Sequence, residues 1–293
     1  MKKIIKSIAA VGFGLLLGIG ASFAQGDEAL RAAFPESIQE SGVLRIGVSA
    51  PQPPFVLLGE QNSTEYRGID ADLARAVAEK AGLKVEFRNF AFAGLVPALQ
   101  AGQVDVLWSG LLPTKERQEV ANFVVYFRNP FGVLVQEGNP LGVKGVGDLC
   151  GHKVALVKGS TPPAMIVEER QAQCAAKGAQ PIEVIIYPDG VTCQLAIRSG
   201  GADAWISAGA AAAYVAATAD DGKAFDYITD PDGLAGTVYF ADGVAVPREN
   251  TQLLEALQKG LQAIIDDGSY AAVLEKYGQQ EFAVTKATIN TLE

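Results

Sequence analysis

Short apolar runs separated by stretches of helical periodicity recur through most of the chain. Val43–Val48 reads as a strand. From Ala71 to Ala81, residues Leu73, Ala74, Val77, Ala78 and Ala81 fall on one helical face, with Asp70 placed to cap the start and Gly82 the end. Val85–Phe87 is the next strand, Leu95–Ala101 a helix stopped by Gly102, and Val104–Trp108 another strand. The order strand, helix, strand, helix, strand predicts a largely parallel sheet. It restarts after Gly145 with strand Val154–Val157, a helix from Pro163, strand Val184–Tyr187, helix Cys193–Ser199 and strand Ala202–Ile206. Two similar α/β units therefore follow one another. The apolar segments Phe131–Val135 and Gly236–Val246 read as strands joining them, and the amphipathic helices Leu253–Ile265 and Tyr270–Tyr277 must cover one unit or the other.

The first residues do not fit this pattern. Lys2, Lys3 and Lys6 precede an apolar run from Ile8 to Gly20, followed by Ala21-Ser22-Phe23-Ala24, which places small residues where a signal peptidase reads. A run of about 13 residues is short for a membrane span, which takes roughly 20. Residues 1–24 are therefore expected to be a cleaved signal for export, and with no cysteine beside the cut, no lipid anchor is expected. Loss of the three lysines takes the net charge from −9 to −12. That charge repels phosphate backbones and anionic lipid, so nucleic acid and membrane surfaces are poor partners.

Export also frames the cysteines. Cys150, Cys174 and Cys193 allow three pairings but only one intramolecular bridge. A strand over Lys153–Val157 and a helix returning antiparallel to it bring Cys174 back near Cys150, which favours that pair. His152 is the one histidine of the chain, so neither a Cys/His metal site nor a Cys–His nucleophile pair is expected. No metal and no cofactor are called for.

Four local signatures carry a resemblance. They are Gly42-Val43-Leu44-Arg45-Ile46-Gly47-Val48 followed by Pro53-Pro54-Phe55; Gly68-Ile69-Asp70-Ala71-Asp72-Leu73; Leu95-Val96-Pro97-Ala98-Leu99-Gln100-Ala101-Gly102 with Val104-Asp105-Val106; and Thr114-Lys115-Glu116-Arg117. In this order and spacing the chain resembles the family 3 extracytoplasmic solute-binding proteins of ABC importers, the group that binds polar amino acids. The resemblance implies the type II periplasmic binding fold: two α/β lobes joined by two hinge strands, with the ligand between them at the carboxyl ends of strands. Lobe 1 is then residues 25–126 and 243–293, the hinge 127–131 and 238–242, and lobe 2 residues 132–237. It further implies a periplasmic monomer whose partners are a small-molecule ligand and an ABC permease in the inner membrane.

Carried over residue by residue, the resemblance makes Arg117 the group that grips a ligand carboxylate, since a guanidinium offers two parallel charge-assisted hydrogen bonds. Backbone around Ser109 and Gly110 comes close to the ligand, and Phe92 packs on its aliphatic part. Lys158-Gly159-Ser160-Thr161 lies between a strand and a helix N-terminus, a seat for an anionic group, with Ser160 and Thr161 in contact. The departures are informative. Positions that hold carboxylates for an ammonium in amino-acid binders fall at Ser49 and Ala208, an aromatic position at Gln52, and a hydroxyl position at Leu112, while Ser207 precedes Ala208. Unless another acid substitutes, with Asp242 as the candidate, the expected ligand carries a carboxylate and no essential α-ammonium. The alternative function is a periplasmic dehydratase of a small cyclic carboxylate on the same fold. It needs a poised acid or base, which Ser49, Gln52, Leu112, Ser207 and Ala208 do not supply, so binding without chemistry is the expected function.

Overall fold

A computed structural model describes residues 27–59, 65–129, 131–229 and 240–290, with Thr161, Pro162, Pro163, Met165, Phe240 and Glu281 described by backbone alone. The expected signal segment lies outside these residues, as do hinge positions 130, 238 and 239. The chain opens with two short helices, α1 (Glu28–Ala33) and α2 (Glu36–Ser41), then β1 (Val43–Val48) and the small hairpin of β2 (Leu57–Leu58) and β3 (Tyr66–Arg67). Next come α3 (Ile69–Lys80), β4 (Lys84–Asn89), α4 (Leu95–Gln100), β5 (Val106–Leu111), α5 (Lys115–Gln118) and β6 (Ala121–Asn129). Phe131–Gln136 is β7, after which β8 (Lys153–Val157), α6 (Thr161–Ala176), β9 (Glu183–Tyr187), α7 (Gly190–Ser199), β10 (Ala204–Ala208), α8 (Gly209–Thr218) and β11 (Phe225–Thr229) form the second unit. The remainder is β12 (Phe240–Pro247), α9 (Thr251–Asp266), α10 (Ser269–Lys276) and β13 (Ala283–Ile289).

Among the described residues these strands form two main sheets, ordered β13-β6-β12-β5-β1-β4 and β11-β7-β10-β8-β9. The chain leaves the first sheet between Asn129 and Phe131 and comes back between Thr229 and Phe240. Both sheets are mixed rather than largely parallel. Pairs built by strand–helix–strand units, such as β1 with β4 and β5, or β8 with β9 and β10, run parallel. The joining strands β6, β7, β11 and β12, together with β13, pair antiparallel.

Each sheet buries its own core. Leu253, Leu257, Leu261 and Ile264 share one face of α9 and pack with Leu73 and Val77 of α3 over the first sheet. Each such side chain contributes roughly 1.5–3 kcal/mol by leaving water. The C-terminal helices therefore belong to lobe 1. The Cys150–Cys174 bridge closes, with Cα atoms 5.6 Å apart, and Cys193 is a free, buried thiol. Asp70 does not cap α3. The helix begins at Ile69, two residues before the expected start, behind Gly68, and Asp70 is fully buried in its first turn.

Candidate functional site

A cleft between the two sheets is walled by segments that follow the carboxyl ends of β1, β5, β8, β9 and β10. It holds about 830 Å³ of space free of protein atoms, part of it open to solvent. From lobe 1 come Ser49, Gln52, Phe92, Gly110, Leu112 and Arg117; from lobe 2, Val157, Asp189, Gln194, Trp205, Ser207 and Ala208.

Arg117 lies in the one-turn helix α5, whose Thr114 hydroxyl accepts the Arg117 backbone N–H at 3.3 Å. Arg117 is only 7% exposed, and its guanidinium carbon stands 5.7 Å from the Phe92 ring centre. One N–H group donates to the Leu112 carbonyl at 3.1 Å and another to the Gly159 carbonyl of lobe 2 at 3.2 Å. Two of its five donors are thus spent on the protein, and among the described residues no carboxylate sits within ion-pair distance. Burial pushes its pKa down, and the fields of Asp242 and Glu116 oppose this. A buried cation with spare donors facing a cleft can accept an anion.

Behind the wall, Ser109 is fully buried: its hydroxyl donates to Gln52 Oε1 at 2.9 Å and accepts the Ser49 N–H at 3.0 Å, so it holds two lining residues in place. Gly110, at φ +52°, lets the strand end run close beneath Gln52 and Phe55; a Cβ there would lie 3.2 Å from each. The Gly110 N–H donates to Asp70 Oδ2 at 2.7 Å, and Tyr126 O–H donates to Asp70 Oδ1 at 2.5 Å. Burial raises the Asp70 pKa to about 7 despite both donors.

Asp242 is also fully buried and is not part of the cleft wall, so it does not stand where an acid for a ligand ammonium would. Its Oδ2 accepts from Asn129 Nδ2 at 2.6 Å, and Oδ1 has no partner. Burial pushes its pKa up to about 8, with the Asn129 hydrogen bond opposing and the nearby Asp70 adding to the rise. Asn129 Oδ1 in turn accepts the N–H of Ala210 at the start of α8, tying the joining strands to lobe 2 at 3.1 Å.

Of the other expected site residues, Ser207 and Phe92 are in the wall. Ser160 turns its hydroxyl back onto the Val157 carbonyl at 2.5 Å, and Lys158 is exposed with its backbone N–H on Tyr187; neither is in the wall. Thr161 opens α6, and its side chain lies outside the described residues. Trp108 is core, 5.7 Å from Tyr126, whereas Trp205 lines the cleft. An acid that the sequence analysis did not name, Asp189, lines the cleft. Sequence reasoning started α7 at Cys193; the helix starts at Gly190, and Asp189 caps it by accepting the Thr192 N–H at 2.8 Å. Its signal was present as an aspartate three residues before a threonine at a strand's carboxyl end. Among the described residues no cluster of three or more His, Cys, Asp or Glu could hold a metal, and no helix is long and apolar enough to cross a membrane.

Residues 44–280 match the family described as bacterial extracellular solute-binding proteins, family 3. The chain belongs to this family. The arginine-binding protein ArgT of Corynebacterium glutamicum is 28% identical over 265 residues, covering 89% of this chain and 82% of that protein. The ABC transporter arginine-binding protein 1 of Escherichia coli K12 is 27% identical over 86% of this chain and 97% of that one. Among solved structures, an ancestral arginine-binding protein bound to arginine matches at 32% identity with a TM-score of 0.68, covering 80% of this chain and 98% of that chain. The family and the two-lobed type II fold thus agree with the resemblance read from the sequence.

Proposed function

We propose that this family 3 protein captures a small polar solute bearing a carboxylate, an amino acid or a related organic acid, between its lobes and delivers it unchanged to an ABC permease. The observation that carries the reading is Arg117: a buried guanidinium on the cleft wall, with spare donors and no carboxylate partner among the described residues. Phe92 beneath it and Leu112 beside it limit water, which strengthens a charge-assisted pair. Ser49, Gln52 and Ser207 add neutral polar contacts, and Ser109 and Gly110 support them from behind. The lobes are proposed to move about the crossings at 127–131 and 238–242. In this reading residues 1–24 direct export and are removed, and the mature chain acts as a periplasmic monomer.

Isothermal titration of the mature protein with amino acids and with mono- and dicarboxylates tests the proposal. A binder should appear in that panel, and Arg117→Ala should weaken it by thirtyfold to several thousandfold, as expected on removing one partner of a desolvated charge pair, about 2–5 kcal/mol. Binding that is indifferent to Arg117→Ala would remove the assigned role.

A further inference from the structure

Asp242 stands where the chain has crossed back from lobe 2, behind the cleft wall rather than in it. It is fully buried, its Oδ2 accepts from Asn129 Nδ2 at 2.6 Å, and its Oδ1 has no hydrogen-bond partner among the described residues. We propose that Asp242 is a proton-operated latch on lobe closure. Neutral, it lets the crossing strands and the start of α8 stay packed and the lobes closed; ionised, it favours their parting, so that solute is held in acid and let go in mildly alkaline medium. This rests on the preceding proposal that the lobes move about these crossings.

Elements of both lobes meet at this carboxyl. Asp242 lies on β12, opposite Phe127 of β6 in an antiparallel ladder. Asn129, two residues further along β6, spends its amide on both sides: Nδ2 donates to Asp242, and Oδ1 accepts the N–H of Ala210 in the first turn of α8 at 3.1 Å. Since β6 and β12 are crossing strands and α8 is a lobe 2 helix, this chain of bonds runs across the hinge. Ala210 and Ala211 also pack in the core that holds Phe127 and Val244, so lobe 2 supplies part of the cover over Asp242. Parting the lobes draws that cover away.

A carboxylate sealed in this place is costly, because one oxygen has a single donor and the other has none. Loss of water lifts its pKa to about 8, with the Asn129 hydrogen bond opposing, Asp70 on α3 adding and Arg117 on α5 opposing. Tyr126 of β6 also feels its field and stays neutral, its hydroxyl given to Asp70. Strand β5 and helix α4, which also pack on β12, present no ionisable side chain. The positive end of α8 favours the ionised acid, yet its Ala210 N–H is taken by Asn129 rather than by the carboxylate. In the parted state water reaches Oδ1 and the acid is stronger, so the closed state binds the proton more tightly than the open one. Closure is then fully favoured below the open-state pKa and is lost as pH rises through about 8. A solute anion on Arg117 cancels the cation that favours ionisation, so the anion and the proton strengthen each other's binding.

Holding Asn129 in place is the competing role of Asp242, and Asp242→Asn separates the two, since its amide oxygen still accepts from Asn129 and nothing ionises. Solution scattering of the mature protein at pH 5, 7 and 9, alone and with L-arginine, L-glutamine or pentanedioate, follows the lobes, and calorimetric titration with the same probes at pH 6 and pH 9 follows affinity. The wild type is expected to become more extended between pH 7 and pH 9, and whichever probe binds it to weaken about tenfold or more from pH 6 to pH 9. In Asp242→Asn the dimensions should hold constant and that loss should fall below about threefold. Carboxyl-carbon titration of wild-type protein labelled at aspartate needs neither variant nor probe: one resonance should move near pH 8, in step with the scattering change. The latch is overturned if Asp242→Asn follows the wild type, if a probe compacts the wild type while pH leaves its dimensions unchanged, or if no aspartate titrates in step with the extension. A wild type that neither pH nor any probe alters would refute the hinge motion together with the latch. Binding indifferent to Arg117→Ala, with the pH response of scattering intact, would refute the carboxylate anchor and leave the latch standing.

Discussion

Two buried carboxylates beside the cleft set how single residues respond to pH. Asp70 and Asp242 are both fully buried, with pKa values pushed up to about 7 and about 8 mainly by loss of water. An unfolded chain titrates such groups near 4, so the folded state holds protons that the unfolded state has released. Their contribution to stability is whole below about pH 4 and is lost as pH rises to about 8. Asp242→Asn keeps an oxygen to accept from Asn129 and removes the ionisation, so its gain over the wild type should grow from pH 5 to pH 9 in urea unfolding. A constant difference across that range would show that Asp242 does not titrate with folding. Sequence reasoning could not see this pair: Asp70 sits at a position that suits a helix cap, and only the tertiary approach of Tyr126 and Gly110 shows it facing inward. Arg117 lines the cleft, where its local motif leads one to expect it, whereas Asp189 lies before a helix whose expected start at Cys193 is three residues later than its start at Gly190.

At the level of elements, most strands and helices were legible where apolar spacing was regular, as in α3, β1, β8 and α9. Elements are illegible in the sequence where spacing carries no information. Helix α8, Gly209–Thr218, is largely alanine, so it has no polar face from which to read a period. Strand β13, Ala283–Ile289, alternates only weakly and pairs with β6, distant in sequence. The disulfide was legible because it joins a strand's start to the end of the helix that doubles back on it. Bridging residues 24 apart restricts the unfolded chain by roughly 3 kcal/mol. Cys150→Ser/Cys174→Ser should therefore lower the unfolding free energy by about that amount in denaturant titration. Cys193 should not re-pair with either remaining cysteine in single variants, because it is buried and its thiol is pushed up to about 12. A loss below about 1 kcal/mol would mean that the α6 end is held by packing alone.

For the whole molecule, the lobes meet through few contacts beside the cleft. Leu112 of lobe 1 packs with the lobe 2 core of Phe131 and Ile206, while Ala210 and Ala211 of α8 pack with the lobe 1 core. Gly159, at φ +84°, lies so near Ala93 that a Cβ would come within 3.1 Å of its Cα. Any side chain at this point is a wedge between lobes. Gly159→Val should weaken solute binding by more than tenfold and leave the saturated protein more extended in solution scattering, while strain at the left-handed position lowers stability by only about 1 kcal/mol. Unchanged affinity would mean that the lobes do not need this approach. The hydrogen bond from Arg117 to the Gly159 carbonyl has a kinetic meaning as well. The guanidinium proposed above as the solute's anchor is itself fastened across the gap, so on that proposal the solute's residence time is coupled to the rate at which the lobes part. On the same proposal, a permease that pulled the lobes apart would take away the crossing bond and unsettle the anchor in one motion, setting the moment of release by mechanical opening rather than by competing for the solute.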